Sequence, residues 1–376
     1  MRLAARKLCV SALLLLAVTF ATANALPHIN AGPQLGNSIK PVLYGDNFAV
    51  VTDGSGHAKR IYLATFDHVF CLDIKTGQLL WSRKTPYGSI DSNLVITKGT
   101  IFYTGGGGAW TIYGMDERNG HILWQKSHQS YWLAASQDML FADGPASGVS
   151  AFASASGKRL WSFAGTGSGG IGRLFTAHGK IYTSNYILDA KTGKLVKILT
   201  SSPRTFAVSG KSVFGVNLHG VLHAWDIKSN QFLWSAKTSP ATYGIAVAAT
   251  AKYVFAVFYG GMPFSARYGI LKAYAVSDGQ MLWKRALVSK SQGLDPNPIA
   301  ADDAYLYLIQ PAPIGPGSQL LALNVGTGKV AWSCQIAAGA SGPPVTTNGT
   351  LYVKAGTSLL LAVDQYNGKI LHTFRF

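Results

Sequence analysis

Beyond residue 45 the chain is a succession of short apolar runs separated by polar, glycine-rich breaks. Runs of this length bounded by turn residues predict β-strands, and no stretch carries the periodicity of an amphipathic helix. One pattern recurs eight times: an apolar run, a polar turn, a second apolar run. The copies are Cys71 to Trp81, Gly114 to Trp124, Ala151 to Trp161, Ile187 to Lys197, Ala224 to Trp234, Ala273 to Trp283, Ala322 to Trp332 and Ala362 to His372. The turn carries Gly77, Gly120, Gly157, Gly193, Gly279, Gly328 and Gly368, with Asn230 in the fifth copy. Gly and Asn both tolerate positive φ, so the exception keeps the turn chemistry. Four residues later stands Trp81, Trp124, Trp161, Trp234, Trp283 or Trp332; Lys197 and His372 are the two departures. Asp73, Asp116, Asp189, Asp226 and Asp364 lie four residues before the turn residue, where a carboxylate can bond turn N–H groups.

The spacings between turn residues are 43, 37, 36, 37, 49, 49 and 40. They average about 42, the period of a four-stranded, WD40-like propeller blade. Each unit reads as four strands. The last gives Pro344 to Thr347, Thr350 to Lys354, Leu359 to Val363 and Lys369 to Phe376, with Asn348-Gly349 as the first hairpin turn. The second gives Leu94 to Thr97, Thr100 to Thr104, Thr111 to Met115 and His121 to Lys126. The predicted fold is all-β: a single eight-bladed β-propeller of four-stranded antiparallel blades over residues 46–376. Blades of a propeller pack face to face. A Trp on an outer strand can therefore wedge against the next blade, removing on the order of 200 Å² from water, worth several kcal/mol. The Trp and Gly motif residues read as structural.

The first 45 residues differ. Arg2, Arg6 and Lys7 precede the apolar stretch Leu13 to Phe20, and Ala23-Asn24-Ala25 supplies small residues for cleavage. This predicts an export signal over 1–25 and a leader over 26–45. Cys9 precedes the apolar stretch and no Cys stands immediately after the cleavage position, so no lipid anchor is expected. Neither is a membrane span, and the expected location is periplasmic or secreted.

Composition sharpens this picture. The chain of 376 residues is 48% hydrophobic and 13% charged, which excludes a disordered chain. Its net charge is +17, and losing the three bases of the signal leaves +14. Such charge can steer the protein to an anionic surface, a glycan or an acidic protein, or suit an acidic compartment where few carboxylates lose their charge. Nucleic acid is not expected, because the bases are dispersed and the longest basic run is Lys59-Arg60. Of the acids only Glu117 is a glutamate. Cys71 and Cys334 fall in the first and seventh blades, too far apart for a bridge, and are expected as buried free thiols.

The pattern Ala-x-Asp-x-x-Thr-Gly-x-x-x-Trp resembles the tryptophan-docking motif of the PQQ-repeat, quinoprotein-type eight-bladed propellers, over about residues 45–376. That family holds large quinoprotein alcohol and glucose dehydrogenases and shorter non-enzymatic propellers of the BamB type. In length and lack of insertions the chain is similar to the second group. The resemblance implies a non-catalytic scaffold that binds a protein partner during outer-membrane or envelope protein assembly, as a monomer. The alternative it implies is a PQQ-dependent dehydrogenase with Ca²⁺; a carbohydrate-binding propeller is the third reading. The dehydrogenases hold Ca²⁺ with a Glu, an Asn and an Asp and place a vicinal Cys-Cys pair over the quinone. This chain has no such pair, and Glu117 falls in a turn at the outer edge of its blade. No catalytic, cofactor-binding or metal residue is therefore carried over, although Asp91 and Asp295 lie outside the motif.

Other motifs point to no chemistry. Gly165-x-Gly167-x-x-Gly170 lacks the following helix that a dinucleotide needs. His219 and His223 on extended chain would lie about 13 Å apart, too far for one metal.

In a propeller the loops leading to each inner strand and those between second and third strands share one face, and loops carry function on such scaffolds. Both 49-residue repeats have their extra length there. The candidate partner-binding residues on this face are Tyr87, Trp110, Trp132, Arg204, Tyr243, Tyr259, Phe264, Arg267 and Tyr268. Aromatics with Arg and little other charge suit a protein-binding patch or a small-ligand funnel, and equally rings that plug the channel or pack loops.

Overall fold

The structure is a computed structural model. It describes residues 42–44, 48–53, 57–86, 88–106, 110–144, 148–165, 174–237, 242–260, 268–287, 299–312 and 316–376. Eight antiparallel sheets follow one another along the chain, spanning 48–84, 95–127, 133–163, 175–198, 203–237, 242–287, 299–336 and 340–375, here blades one to eight. Each contains four consecutive strands in sequence order, and no helix occurs among the described residues. First strands of neighbouring blades touch one another from blade two to blade four and from blade five to blade eight, which sets them around the centre and leaves the fourth strands outermost. The protein is an eight-bladed β-propeller.

The predicted strands hold to within one or two residues, with one exception. The first strand of blade eight runs Ala340–Thr347, because a register shift between Ser341 and Val345 lets Gly342-Pro343-Pro344 remain in the sheet. Within the expected leader, Val42–Tyr44 adds a fifth strand, antiparallel to Phe48–Thr52. It also touches the first strands of blades two and eight, so it lies at the centre of the ring.

The core is eight apolar clusters, one per blade-to-blade join. Alternate residues of one strand supply opposite joins: Ile101 and Tyr103 pack toward blade one, Phe102 toward blade three. Both faces of each blade are thus buried, which explains why its strands read as nearly continuous apolar runs. Blade eight contains only the last strands of the chain and blade one none of them, so the ring closes without strand exchange. The closing join packs Phe48, Ile61 and Leu63 against Tyr352, Leu360 and Phe374. Phe70 meets Phe376 with ring centroids 5.4 Å apart. The buried Lys354 ammonium donates to the Ala64 carbonyl at 3.3 Å.

Cys71 and Cys334 are both free thiols in blades one and seven. Cys71 is buried; Cys334 is only half-buried, because the outermost strand has a neighbour on one edge alone.

Candidate functional site

The repeat motif is a joint between blades. Each motif Trp lies over the turn glycine of the next blade: Trp81 over Gly120, Trp124 over Gly157, Trp161 over Gly193, Trp234 over Gly279, Trp283 over Gly328 and Trp332 over Gly368. A Cβ on any of these glycines would fall 2.4–2.8 Å from the ring. The glycine is thus required twice, for its positive φ and for the ring's approach. Each indole N–H donates to a backbone carbonyl of the next blade, at 2.8–3.3 Å: those of Glu117, Ser154, Ala190, Val276, Val325 and Gln365. Glu117 therefore serves this joint through its main chain. The turn aspartates act as expected, with the carboxylates of Asp73, Asp189, Asp226 and Asp364 accepting turn N–H groups. Asn324, unnoticed in the sequence, does the same in blade seven.

The two departures from the Trp pattern have different partners. Lys197 faces Asn230, the one turn residue that brings a Cβ where the other joints hold a ring. Its ammonium donates to the Asn230 carbonyl at 2.5 Å. Lys180 donates to the Ile227 carbonyl at 2.6 Å, the position an indole would use, and to Asn230 Oδ1 at 2.9 Å. His372 instead covers Gly77 and completes the circle; a Cβ there would lie 2.5 Å from its Nε2.

Below the joints runs an aromatic series that sequence reasoning missed. Tyr62, Phe102, Phe141, Phe214, Phe255 and Tyr307, on second strands, each meet the Trp of their own blade with centroids 5.6–6.1 Å apart.

On the loop face, the structure brings together Trp110 and Tyr131, with ring centroids 4.3 Å apart and both half-buried. Trp110 precedes the third strand of blade two, and its carbonyl accepts from His128 N–H at 3.0 Å. Tyr131 lies in the loop from blade two to blade three. Asp143, at the end of the second strand of blade three, pins that loop. Its Oδ1 accepts the Ser130 hydroxyl at 2.6 Å and the N–H groups of Tyr131 and Trp132 at 2.8 Å each. Burial outweighs these bonds and pushes the carboxyl up to about 6. Asp143 was also unforeseen. Its signal was an acid where equivalent strands carry Ala64, Thr104, Val216, Val257 and Ile309.

The other candidates disperse. Trp132 packs half-buried against the core between blades three and four. Arg204 is the extra residue of a bulge in the first strand of blade five, half-buried. Tyr259 is no surface residue: it is buried in the cluster between blades six and seven, because its strand runs on through Gly260. Tyr243 and Tyr268 lie on strands Thr242–Ala249 and Tyr268–Ala275. Tyr87, Phe264 and Arg267 lie outside the described residues, as do Asp295 and most of the Gly165-to-Gly170 motif.

A quinone with Ca²⁺ calls for converging oxygen ligands. Among the described residues no three His, Cys, Asp or Glu side chains come together. The Asp91 carboxylate accepts the Ser89 hydroxyl at 3.2 Å, and burial raises its pKa. No helix among the described residues is long and apolar enough to cross a membrane.

A family model described as outer membrane protein assembly factor BamB matches residues 32–257 and 267–375. No protein of curated function matches the sequence. Among solved structures, BamB from Moraxella catarrhalis is similar at 13% identity and a TM-score of 0.61, over 80% of this chain and 89% of that one. A europium-containing methanol dehydrogenase is similar at 13% identity and 0.58, over 86% and 83%. A quinohemoprotein alcohol dehydrogenase from Pseudomonas putida HK5 is similar at 12% and 0.50, over 76% and 66%. At such identities the structural likenesses carry the fold and nothing finer.

Proposed function

The chain belongs to the family described as outer membrane protein assembly factor BamB, and from that membership we propose that it is a non-catalytic scaffold of the cell envelope. In this reading it is exported, works without a bound cofactor, and docks a protein partner during outer-membrane protein assembly. The observation that carries the docking reading is the half-exposed Trp110–Tyr131 pair, in which Asp143 fixes the loop of Tyr131. Rigid aromatics bury much area at little entropic cost and dominate the energetics of protein interfaces. Paired rings, one of them on a pinned loop, are a pre-organised anchor of that kind.

The test replaces Trp110 and Tyr131 by Ala and captures partners from envelope extract. Lost capture with an unchanged melting temperature is the expected result. Lost stability with retained capture would mean that the pair only packs the loop. The family's second activity class has its own test, titration with the quinone and Ca²⁺. Dye reduction with an alcohol or a sugar would overturn the scaffold reading.

A further inference from the structure

The outer wall of the ring has an uneven chemistry. The eight outermost strands together carry nine Lys or Arg residues and no Asp or Glu. They also expose paired apolar side chains, such as Leu79-Leu80, Ile122-Leu123, Phe232-Leu233 and Met281-Leu282. Each is the last strand of its sheet, so one row of its backbone groups is unpaired within the sheet. An extra residue interrupts every one of them just before the Trp position, and such bulges twist an edge away from further pairing. Only the stretch beyond the bulge is regular. It pairs over five residues in blades six and seven and over four or fewer in the others.

Blade six alone combines that length with charge. Its regular stretch, Trp283–Leu287, carries Lys284 and Arg285, whereas that of blade seven carries no base. Lys284 stands directly opposite Lys272 on the adjacent strand. Like charges facing each other across a sheet repel. No described carboxylate pairs with either, and the Lys272 ammonium rests 5.9 Å from the centre of the Phe258 ring. Burial and the Lys284 charge both push the Lys272 ammonium below its ordinary range. An incoming carboxylate would relieve that repulsion.

We propose that the outer strand of blade six is a strand-addition site for an extended acidic segment of the partner protein. The segment pairs its backbone along Trp283–Leu287 and sets one carboxylate against Lys284, on the face of the sheet that Lys284 shares with Lys272. This inference rests on the docking reading above and names the partner's chemistry. A lipid surface suits the wall less well, since the apolar and basic band encircles the ring and a plane meets only a few blades of it.

The probe is a blocked, labelled octapeptide of alternating Glu and Val, followed by fluorescence anisotropy. It should bind the full chain. Lys272→Gln with Lys284→Gln should weaken binding about tenfold or more at an unchanged melting temperature. A peptide of the same charge, N-methylated at alternate residues, should not bind, because its backbone cannot pair. Equal binding of the methylated peptide, or equal binding by the double variant, overturns the proposal. So does a preference for anionic phosphatidylglycerol vesicles that is lost in the double variant while the peptide is ignored. If envelope extract yields a partner that the Lys variant still captures and the Trp110/Tyr131 variant does not, the docking reading stands and this site falls. No specific partner for the unaltered protein removes the docking reading itself.

Discussion

Gly157 and Gly179 separate the two demands that the blade joints place on glycine. Both have positive φ, +65° and +72°. A Cβ on Gly179 would meet nothing within 4 Å, whereas one on Gly157 would lie 2.6 Å from Trp124 Cε3 and 2.7 Å from Cδ2. Holding an L-residue in this backbone region costs about 1–2 kcal/mol, which should be the whole cost of Gly179→Ala. Carbon atoms in good contact lie about 3.5–4.0 Å apart. Gly157→Ala therefore forces about 1 Å of displacement on a packed indole, adding about 1–3 kcal/mol. Its expected cost is about 2–5 kcal/mol. Trp124→Ala alone should cost about 3–5 kcal/mol. In that background Gly157→Ala should fall back to the cost of Gly179→Ala, a coupling of about 1–3 kcal/mol. Urea midpoints at unchanged slope measure all of these. Equal costs for the two glycines, or a Gly157→Ala cost indifferent to Trp124, would refute the idea that the ring's approach selects the glycine.

The joint between blades four and five tests the same logic in reverse: Lys197→Trp should destabilise beside Asn230, and adding Asn230→Gly should recover most of the loss. A double variant no more stable than Lys197→Trp alone would count against steric pairing. For Asp143 the folded carboxyl sits at about 6, above its ordinary 3.8. A raised carboxyl favours the folded state fully below the ordinary value, and this contribution is lost as pH rises through about 6. The shift is worth about 3 kcal/mol. Relative to Asp143→Asn, the unaltered protein should gain about 2 kcal/mol of that between pH 7 and pH 4, and parallel stability profiles for the two would exclude it. Thiol reagent at pH 8 should modify Cys334 in the native protein and Cys71 only after unfolding. The Cys71 thiol is buried and pushed up to about 11. A native mass two daltons light would instead mean a disulfide.

The repeat was legible because its turn is local: Gly77 to Trp81 is five residues, and φ, ring and spacing recur together. The aromatics beneath the Trp rings were not. Tyr62 precedes Trp81 by 19 residues, but Phe255 precedes Trp283 by 28, since loops of different length intervene. A contact set by the sheet need not keep its distance along the chain. The same limit hid the pairing of Lys197 with Asn230, each of which looked like a lapse within its own repeat. On the loop face, Trp110 and Trp132 read as equals in sequence, yet one pairs with Tyr131 and the other joins a core cluster. Exposure there depends on how the loop is tied, which rests on Asp143 in a different strand.

Because every blade offers one outer-strand side chain to its successor, a ring in all but blade four, and a turn to its predecessor, the join is heterologous, head to tail. In hereditary terms each unit of about 42 residues carries one plug and one socket. An in-frame duplication of a unit that carries both the Trp and the turn glycine adds a matched pair of both, so a gene can lengthen its ring without inventing a contact. Substitution is more constrained than duplication. The joint of Lys197 and Asn230 shows that plug and socket of one joint can change together while the ring stays closed.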